Sequence, residues 1–229
     1  MDKGKYYLAY IAGLVASDGT LIRHNYKVKI TTTNKSFANK IKNMLIKLGY
    51  NANVYSYKDT KKYEAYVYSK ELALILIKKY KLKFGKKSKD IEIPSNLNTV
   101  ELQYYIKGLY DGDSTIYLTK VKLRRRNKNY EYILPRITYK TQSIKLYNQL
   151  LSILKEMKLT PYGYYDKYSN TYCINLDGIK NILRFNELIG YIHPCKRRRL
   201  KQIIENINHA QTLSQYYYLP LGPRRRRSA

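Results

Sequence analysis

Two cysteines, three histidines and only 16 acidic residues in a chain of 229 leave several kinds of function without their raw material. Cys173 and Cys195 are too few to build a zinc site on their own, and they do not suggest a disulfide scaffold. His24, His193 and His209 fall in a turn, a loop and a late helix with no shared pattern, which argues against histidine catalysis. No apolar run is long enough to span a bilayer. The run from Tyr6 to Ala16 behind Lys3 and Lys5 imitates a signal peptide, but a similar run recurs at Tyr104 to Tyr110, which marks it as a structural helix. The expectation is an intracellular protein that is not secreted, in the cytoplasm or nucleoid, or in an organelle if the host is eukaryotic.

What the chain does have is positive charge. Its 44 Lys and Arg give a formal net charge of +28 and a pI near 9.9. Solubility needs a net charge of only about 2 to 8, so a polyanion partner such as nucleic acid is expected. The basic residues lie along strand-like stretches in both halves, and no basic amphipathic helix stands apart, which points away from a membrane surface.

One short motif occurs twice: Tyr10-Ile11-Ala12-Gly13-Leu14-Val15-Ala16-Ser17-Asp18-Gly19 and Tyr105-Ile106-Lys107-Gly108-Leu109-Tyr110-Asp111-Gly112-Asp113-Ser114. Each copy is an apolar helical stretch with a glycine where a second helix could approach backbone to backbone, and an aspartate five residues on, where the helix runs out. Packed together, the two helices would set Asp18 beside Asp113. The copies are offset by 95 positions, whereas downstream residues align at 109 (Tyr63 with Tyr172, Leu74 with Leu183, Lys87 with Lys196). The second half therefore holds about fourteen extra residues just after its motif.

Each half reads as helix, two strands, helix, two strands, helix. In the first, Leu21 to Arg23 and Tyr26 to Thr33 predict a hairpin with Val28 and Ile30 on one face and Lys27, Lys29, Thr31 and Thr33 on the other. Ser36 to Leu48 predicts an amphipathic helix stopped by Gly49; Asn53 to Tyr57 and Tyr63 to Tyr68 predict a second hairpin, and Ser69 caps a helix to about Lys79. The second half adds a longer hairpin, Thr115 to Lys140, a helix from Ser143 to Met157, strands near Tyr162 to Tyr165 and Thr171 to Leu176, and helices Ile179 to Phe185 and Arg197 to about Ala210. The predicted organisation is an N-terminal repeat over 1–79, a linker over 80–98, a C-terminal repeat over 99–211 and a basic tail over 212–229. Most of the 28 tyrosines are expected to pack in cores.

Two carboxylates at one helix junction suit a divalent cation better than acid-base work. Side by side they repel unless a cation lies between them, and Mg²⁺ typically takes one or two protein carboxylates plus water and phosphate oxygens. With lysines to neutralise charge on phosphorus, phosphodiester hydrolysis is the expected chemistry.

Ile11 to Gly19 and Ile106 to Ser114 closely resemble the LAGLIDADG motif, and the doubled element order resembles a single-chain, two-repeat LAGLIDADG homing endonuclease over nearly the whole chain. Ala16 stands where the first aspartate of the pattern usually lies, and Ser114 replaces the closing glycine. The resemblance implies an α+β fold of two pseudo-symmetric αββαββα repeats, with antiparallel sheets forming a DNA-binding saddle and the motif helices packed at the interface. It implies metal binding by Asp18 and Asp113 and by the peptide carbonyls of Ser17 and Gly112. It further implies Mg²⁺ as cofactor, with Mn²⁺ able to substitute and Ca²⁺ binding without supporting rapid cleavage.

By the same resemblance Lys87 and Lys196 are the basic residues near the cleavage centre, with Lys86 a competitor, and Asn34 and Gln142 orient waters, although a helix-capping role for Asn34 is equally open. The expected DNA-reading residues are Arg23, Lys27, Lys29, Thr31 and Thr33 in one half, and Lys120, Lys122, Arg124, Arg125, Arg126, Arg136, Thr138 and Lys140 in the other. The implied protein is a monomer that cuts a long asymmetric double-stranded DNA site and is encoded by an intron or intein. The alternatives are an intron RNA maturase on the same scaffold and a catalytically dead DNA-binding regulator.

Overall fold

The computed structural model describes residues 3–58, 60–85, 89–125 and 128–212. One element order runs through it twice. The first half comprises α1 (Lys3–Ser17), β1 (Gly19–Ile22), β2 (Lys27–Thr32), α2 (Lys35–Lys47), β3 (Ala52–Ser56), β4 (Tyr63–Tyr68) and α3 (Lys70–Lys78). The second comprises α4 (Thr99–Asp113), β5 (Ser114–Arg125), β6 (Lys128–Thr141), α5 (Ile144–Glu156), β7 (Pro161–Asp166), β8 (Thr171–Asp177) and α6 (Ile179–Leu188), followed by α7 (Pro194–Thr212). Two antiparallel four-stranded sheets result, ordered β1-β2-β4-β3 and β5-β6-β8-β7, so the fold is α+β and the halves share one topology. The surplus of the second half lies in its first hairpin, whose strands run 12 and 14 residues where β1 and β2 run 4 and 6.

Helix boundaries follow side chains that satisfy the open backbone groups of the first turn. Asn34, Ser69 and Ser143 accept from the amides of Phe37, Leu72 and Leu146, and Asn98 forms a capping box with Glu101 at α4. Gly49, at φ +89°, ends α2 in a conformation that costs other residues energy. The final helix begins at Pro194, earlier than the expected Arg197, because proline lacks an N–H that the first helical position would leave unpaired anyway.

Each sheet buries one face. Val28, Ile30, Ala65 and Val67 pack on Phe37, Ile41 and Leu45 of α2; Ile137, Tyr139, Ile174 and Leu176 pack in the same way with Leu146, Leu150 and Leu154 of α5. The opposite face carries Lys27 and Lys29, both half-buried, around a buried Glu64 in one half, and an exposed Lys140 beside the buried Thr138 and Asn175 in the other. Helices α1 and α4 cross at their glycines: a Cβ at Gly13 would lie 2.0 Å from the Tyr105 carbonyl oxygen, and one at Gly108 would lie 2.3 Å from that of Tyr10. Only hydrogen fits there, so backbone meets backbone.

Between α3 and α4 no regular element forms among the described residues, yet the chain is not a loose tether. Tyr80, Leu82, Ile91 and Ile93 are buried, the Ser143 hydroxyl donates to the Ile91 carbonyl (2.6 Å), and the Gln149 amide bonds both to the Ile93 N–H (2.8 Å) and to its carbonyl (3.1 Å). Among the described residues no helix is long and apolar enough to cross a membrane. Lys86, Lys87, Ser88, Arg126 and the tail from 213 onward lie outside them, as do the side chains of Lys122, Arg124 and Arg125, whose backbones run in β5.

Candidate functional site

The glycine contact decides where the two motif copies end relative to each other. Because α1 and α4 touch through Gly13 and Gly108, their C-terminal ends stay close: a Cβ at Gly112 would meet the Ser17 hydroxyl at 2.0 Å and an Asp18 carboxylate oxygen at 3.4 Å. Asp18 and Asp113 both sit at a helix-to-strand junction and both are exposed. The charges of both act on the Lys196 ammonium and on the Tyr139 phenol, which places them in one electrostatic neighbourhood. A cleft of about 690 Å³ opens there, lined by Ser17, Asp113, Lys140 and Gln142 among others.

The candidate donors are the two carboxylates and the peptide oxygens of Ser17 and Gly112, all hard oxygens of the kind Mg²⁺ accepts while keeping several waters. Among the described residues no three His, Cys, Asp or Glu side chains gather as a metal cluster. A site of two carboxylates completed by carbonyls and water meets that description, so the residues present fit the cation.

Lys196 stands at the C-terminal end of α4, over the carbonyls of its last turn, of which that of Tyr110 also accepts from the Ser114 N–H and hydroxyl. Its ammonium donates to Tyr110 (3.0 Å), Asp111 (2.7 Å) and Gly112 (2.9 Å). Burial pushes it below the usual lysine range, against the pull of Asp111, Asp18 and Asp113. The Gly112 carbonyl is thus already engaged, with one lone pair left for another partner.

Asn34 has less freedom than a water-orienting role requires: its oxygen accepts from Phe37 N–H (2.8 Å) to cap α2, and its amide donates to the Cys195 sulfur (3.1 Å). Gln142 is exposed in the cleft beside Asp113 and Lys140. The structure therefore gathers Asp18, Asp113, Ser17, Gly112, Gln142 and Lys196, and commits Asn34 to the fold.

The expected reading residues divide. Lys27 pairs with Glu64 (2.5 Å) and Lys29 reaches the other oxygen of the same carboxylate (3.3 Å), while the Tyr57 hydroxyl donates to it as well (2.8 Å). Burial raises the Glu64 pKa, but hydrogen bonds from Lys27 and Tyr57 and the charge of Lys29 more than offset it and hold the carboxyl below its ordinary range. In the other half Arg136 forms a two-pronged pair with Asp177 (2.6 and 2.6 Å), and Lys140 reaches Asp166 (3.5 Å). Thr138 is 5% exposed, with its hydroxyl donated to Asn175 and close to that of Tyr117, so it lies below the reading surface that alternation assigned it. Thr31 is half-buried and Thr33 exposed just past β2; Arg23 sits in the turn beside Phe84, and Lys120 is exposed on β5.

Sequence reasoning missed the acids that hold these bases and part of the tyrosine distribution. Tyr10, Tyr80, Tyr105, Tyr110 and Tyr139 are buried, but Tyr55, Tyr57, Tyr68, Tyr162, Tyr164, Tyr165 and Tyr168 are exposed, most of them on the sheets. The signal was present as tyrosine at alternate positions, 55 and 57, 66 and 68, 162 and 164. A missed carboxylate is Asp111, buried beside the helix crossing.

A LAGLIDADG-like domain matches residues 5–89, the first repeat. The chain is 24% identical over 208 residues to the homing endonuclease I-ApeI of Aeropyrum pernix, covering 87% of each. It is 31% identical over 163 residues to the ATP-dependent DNA helicase Hel308 of Methanocaldococcus jannaschii, a match that takes 69% of this chain but spans only 13% of the helicase. The homing endonuclease I-DmoI, solved in complex with DNA and Ca, has the same fold at a TM-score of 0.59, with 16% identity over 88% of this chain and 100% of that one. Other I-DmoI complexes with DNA were solved with Mn or in the presence of Mg.

Proposed function

We propose that this chain, which belongs to the LAGLIDADG family in its single-chain, two-repeat form, is a monomeric DNA endonuclease that hydrolyses both strands of one long asymmetric duplex site. The observation that carries the reading is the crossing of α1 and α4 at Gly13 and Gly108, which sets Asp18 and Asp113 in one neighbourhood. I-ApeI, alike over 87% of each chain, is a homing endonuclease, and I-DmoI, which shares the fold, is a homing endonuclease solved with DNA. Encoding by an intron or intein and action inside the cell belong to the same proposal.

Asp18 and Asp113, with the carbonyls of Ser17 and Gly112, would hold Mg²⁺. The bound cation would activate water and stabilise the leaving oxygen. The protein's own contribution is position and charge. Lys196, anchored on the end of α4, brings a cation to the acid pair and offsets negative charge on the phosphate. Lys87 is its counterpart by the repeat offset. Gln142 in the cleft can hold a water by its amide. The sheet faces would then select the duplex that lies over the site, their Arg and Lys exchanging intramolecular carboxylates for guanine or phosphate.

The test is cleavage of a randomised duplex library by the whole protein with Mg²⁺, followed by recovery of the cut sequences. The wild type is expected to select one asymmetric site. Asp18→Asn and Asp113→Asn keep side-chain size and lose a ligand charge, so each should keep DNA affinity and lose cleavage by about a hundredfold or more. Full activity in both variants, or no cleavage by the wild type under any divalent cation, would remove the reading. Binding without cleavage would favour the DNA-binding regulator, and selective retention of intron RNA the maturase.

A further inference from the structure

The two halves differ at one buried position beside the site. Asp111 occupies the place in the second motif copy that Ala16 holds in the first. It is 2% exposed, and its carboxylate accepts three hydrogen bonds: from the Tyr10 hydroxyl across the helix crossing (2.6 Å), from the Ile192 amide (2.9 Å) and from the His193 amide (3.1 Å). Those amides belong to the short segment that leads into α7, where Lys196 turns back onto the carbonyls of Tyr110, Asp111 and Gly112. One residue thus grips the segment with its side chain and receives the lysine on its backbone.

Among the described residues the first half shows no equivalent grip. Ala16 is fully buried and offers a methyl group. Tyr105, the counterpart of Tyr10, points its hydroxyl instead toward the backbone carbonyl of Glu92, at 3.5 Å. A buried carboxylate is expensive unless its acceptors are filled, and here each hydrogen bond that fills them fixes the loop or the crossing helix.

We propose that Asp111 is a positioning residue that sets Lys196 in the second half's share of the cleavage site, and that its lack of a counterpart makes the enzyme cut the two DNA strands at unequal rates. This rests on the endonuclease reading. Asp111 touches no reacting atom; it acts through the segment it holds.

The experiment uses the full chain, its selected duplex with a different fluorophore on each strand, and single-turnover conditions with Mg²⁺. The wild type should cut one strand faster and pass through a nicked duplex. Asp111→Asn turns an all-acceptor group into one whose NH₂ faces backbone donors, and should slow one strand by about tenfold or more at unchanged DNA affinity. Tyr10→Phe removes a single donor from an otherwise isosteric ring and should slow the same strand by less. In the free protein the Ile192 and His193 amides should exchange faster in Asp111→Asn than in the wild type.

Equal strand rates in the wild type, or equal slowing of both strands by the variants, would overturn the proposal. So would unchanged amide exchange. Should Asp111→Asn fail to fold, Tyr10→Phe decides by the same readings. If no duplex is cut at all, the endonuclease reading fails, while amide exchange still judges the tether.

Discussion

The His193 ring packs on Phe37, with centroids 4.4 Å apart, so the segment before α7 in the second half rests on the first turns of α2 in the first half. Among the described residues the buried His193 Nδ1 finds no hydrogen-bond partner. Burial, the charge of Lys196 and that of Lys40 together push the ring's pKa down to about 4.

That shift predicts acid sensitivity with a defined window. Above the unfolded histidine pKa, about 6.5, both states are neutral. As the pH falls from there toward about 4 the unfolded chain takes up a proton that the native ring refuses, so stability declines across this window and levels off below it. His193→Phe should flatten this part of a urea-midpoint profile. An unchanged profile would mean that the ring titrates freely in the native protein.

Glu64 predicts a separate loss at lower pH. Its folded pKa lies below the unfolded value, so the stabilisation is present above about pH 4.5 and disappears as the pH falls through the depressed value. Glu64→Gln should lack that component. The same variant releases Lys27 and Lys29. Its affinity for nonspecific duplex should rise, and the salt slope should steepen by about one or two counterions. Measured by fluorescence anisotropy over a salt series, an unchanged slope would show that the two lysines do not meet phosphate.

Gly13→Ala should uncouple the halves. The added methyl would lie 2.0 Å from a carbonyl oxygen on a buried helix, where neither backbone can yield cheaply. Overpacking of this kind costs about 1 to 3 kcal/mol, and the displaced helix ends carry Asp18 and Asp113. Urea denaturation should show the loss of stability, and cleavage should fall at temperatures where the variant is still folded. A variant as stable and active as the wild type would refute the close crossing.

Arg136→Ala should relax base preference in one half of the target only, by about 1 to 3 kcal/mol at one or two positions, whereas Lys27→Ala should act in the other half. Cleavage profiling over singly substituted sites measures both. Uniform losses across the whole site would reduce these residues to phosphate contacts.

The strands, the helices and the glycine crossing were legible in the sequence because each depends on local periodicity or on a repeated motif. Partners set by cross-strand register were not. Glu64 meets Lys27 and Lys29, and Asp177 meets Arg136, only because β4 lies beside β2 and β8 beside β6. Strand order is a tertiary fact that no alternation pattern contains. Asp111 was visible as a departure between the motif copies, but its importance depends on a segment some eighty residues away. Between 80 and 98, Tyr80, Leu82, Ile91 and Ile93 bury irregular backbone, which leaves no period to detect.

The same connector governs how such a protein could be rebuilt. Ser143 and Gln149 clasp Ile91 and Ile93, while Glu92 is paired both with Lys81 on the near side and with Lys145 on the far side. A chimera that exchanges halves between relatives cannot be spliced at the start of α4, because residues 90–93 would then belong to one parent and their clasp to the other. A seam just upstream of Asp90 keeps Ser143 and Gln149 with the residues they clasp, at the cost of the Lys81–Glu92 and Lys83–Asp90 pairs, so the recombinable unit is longer than the repeat it carries.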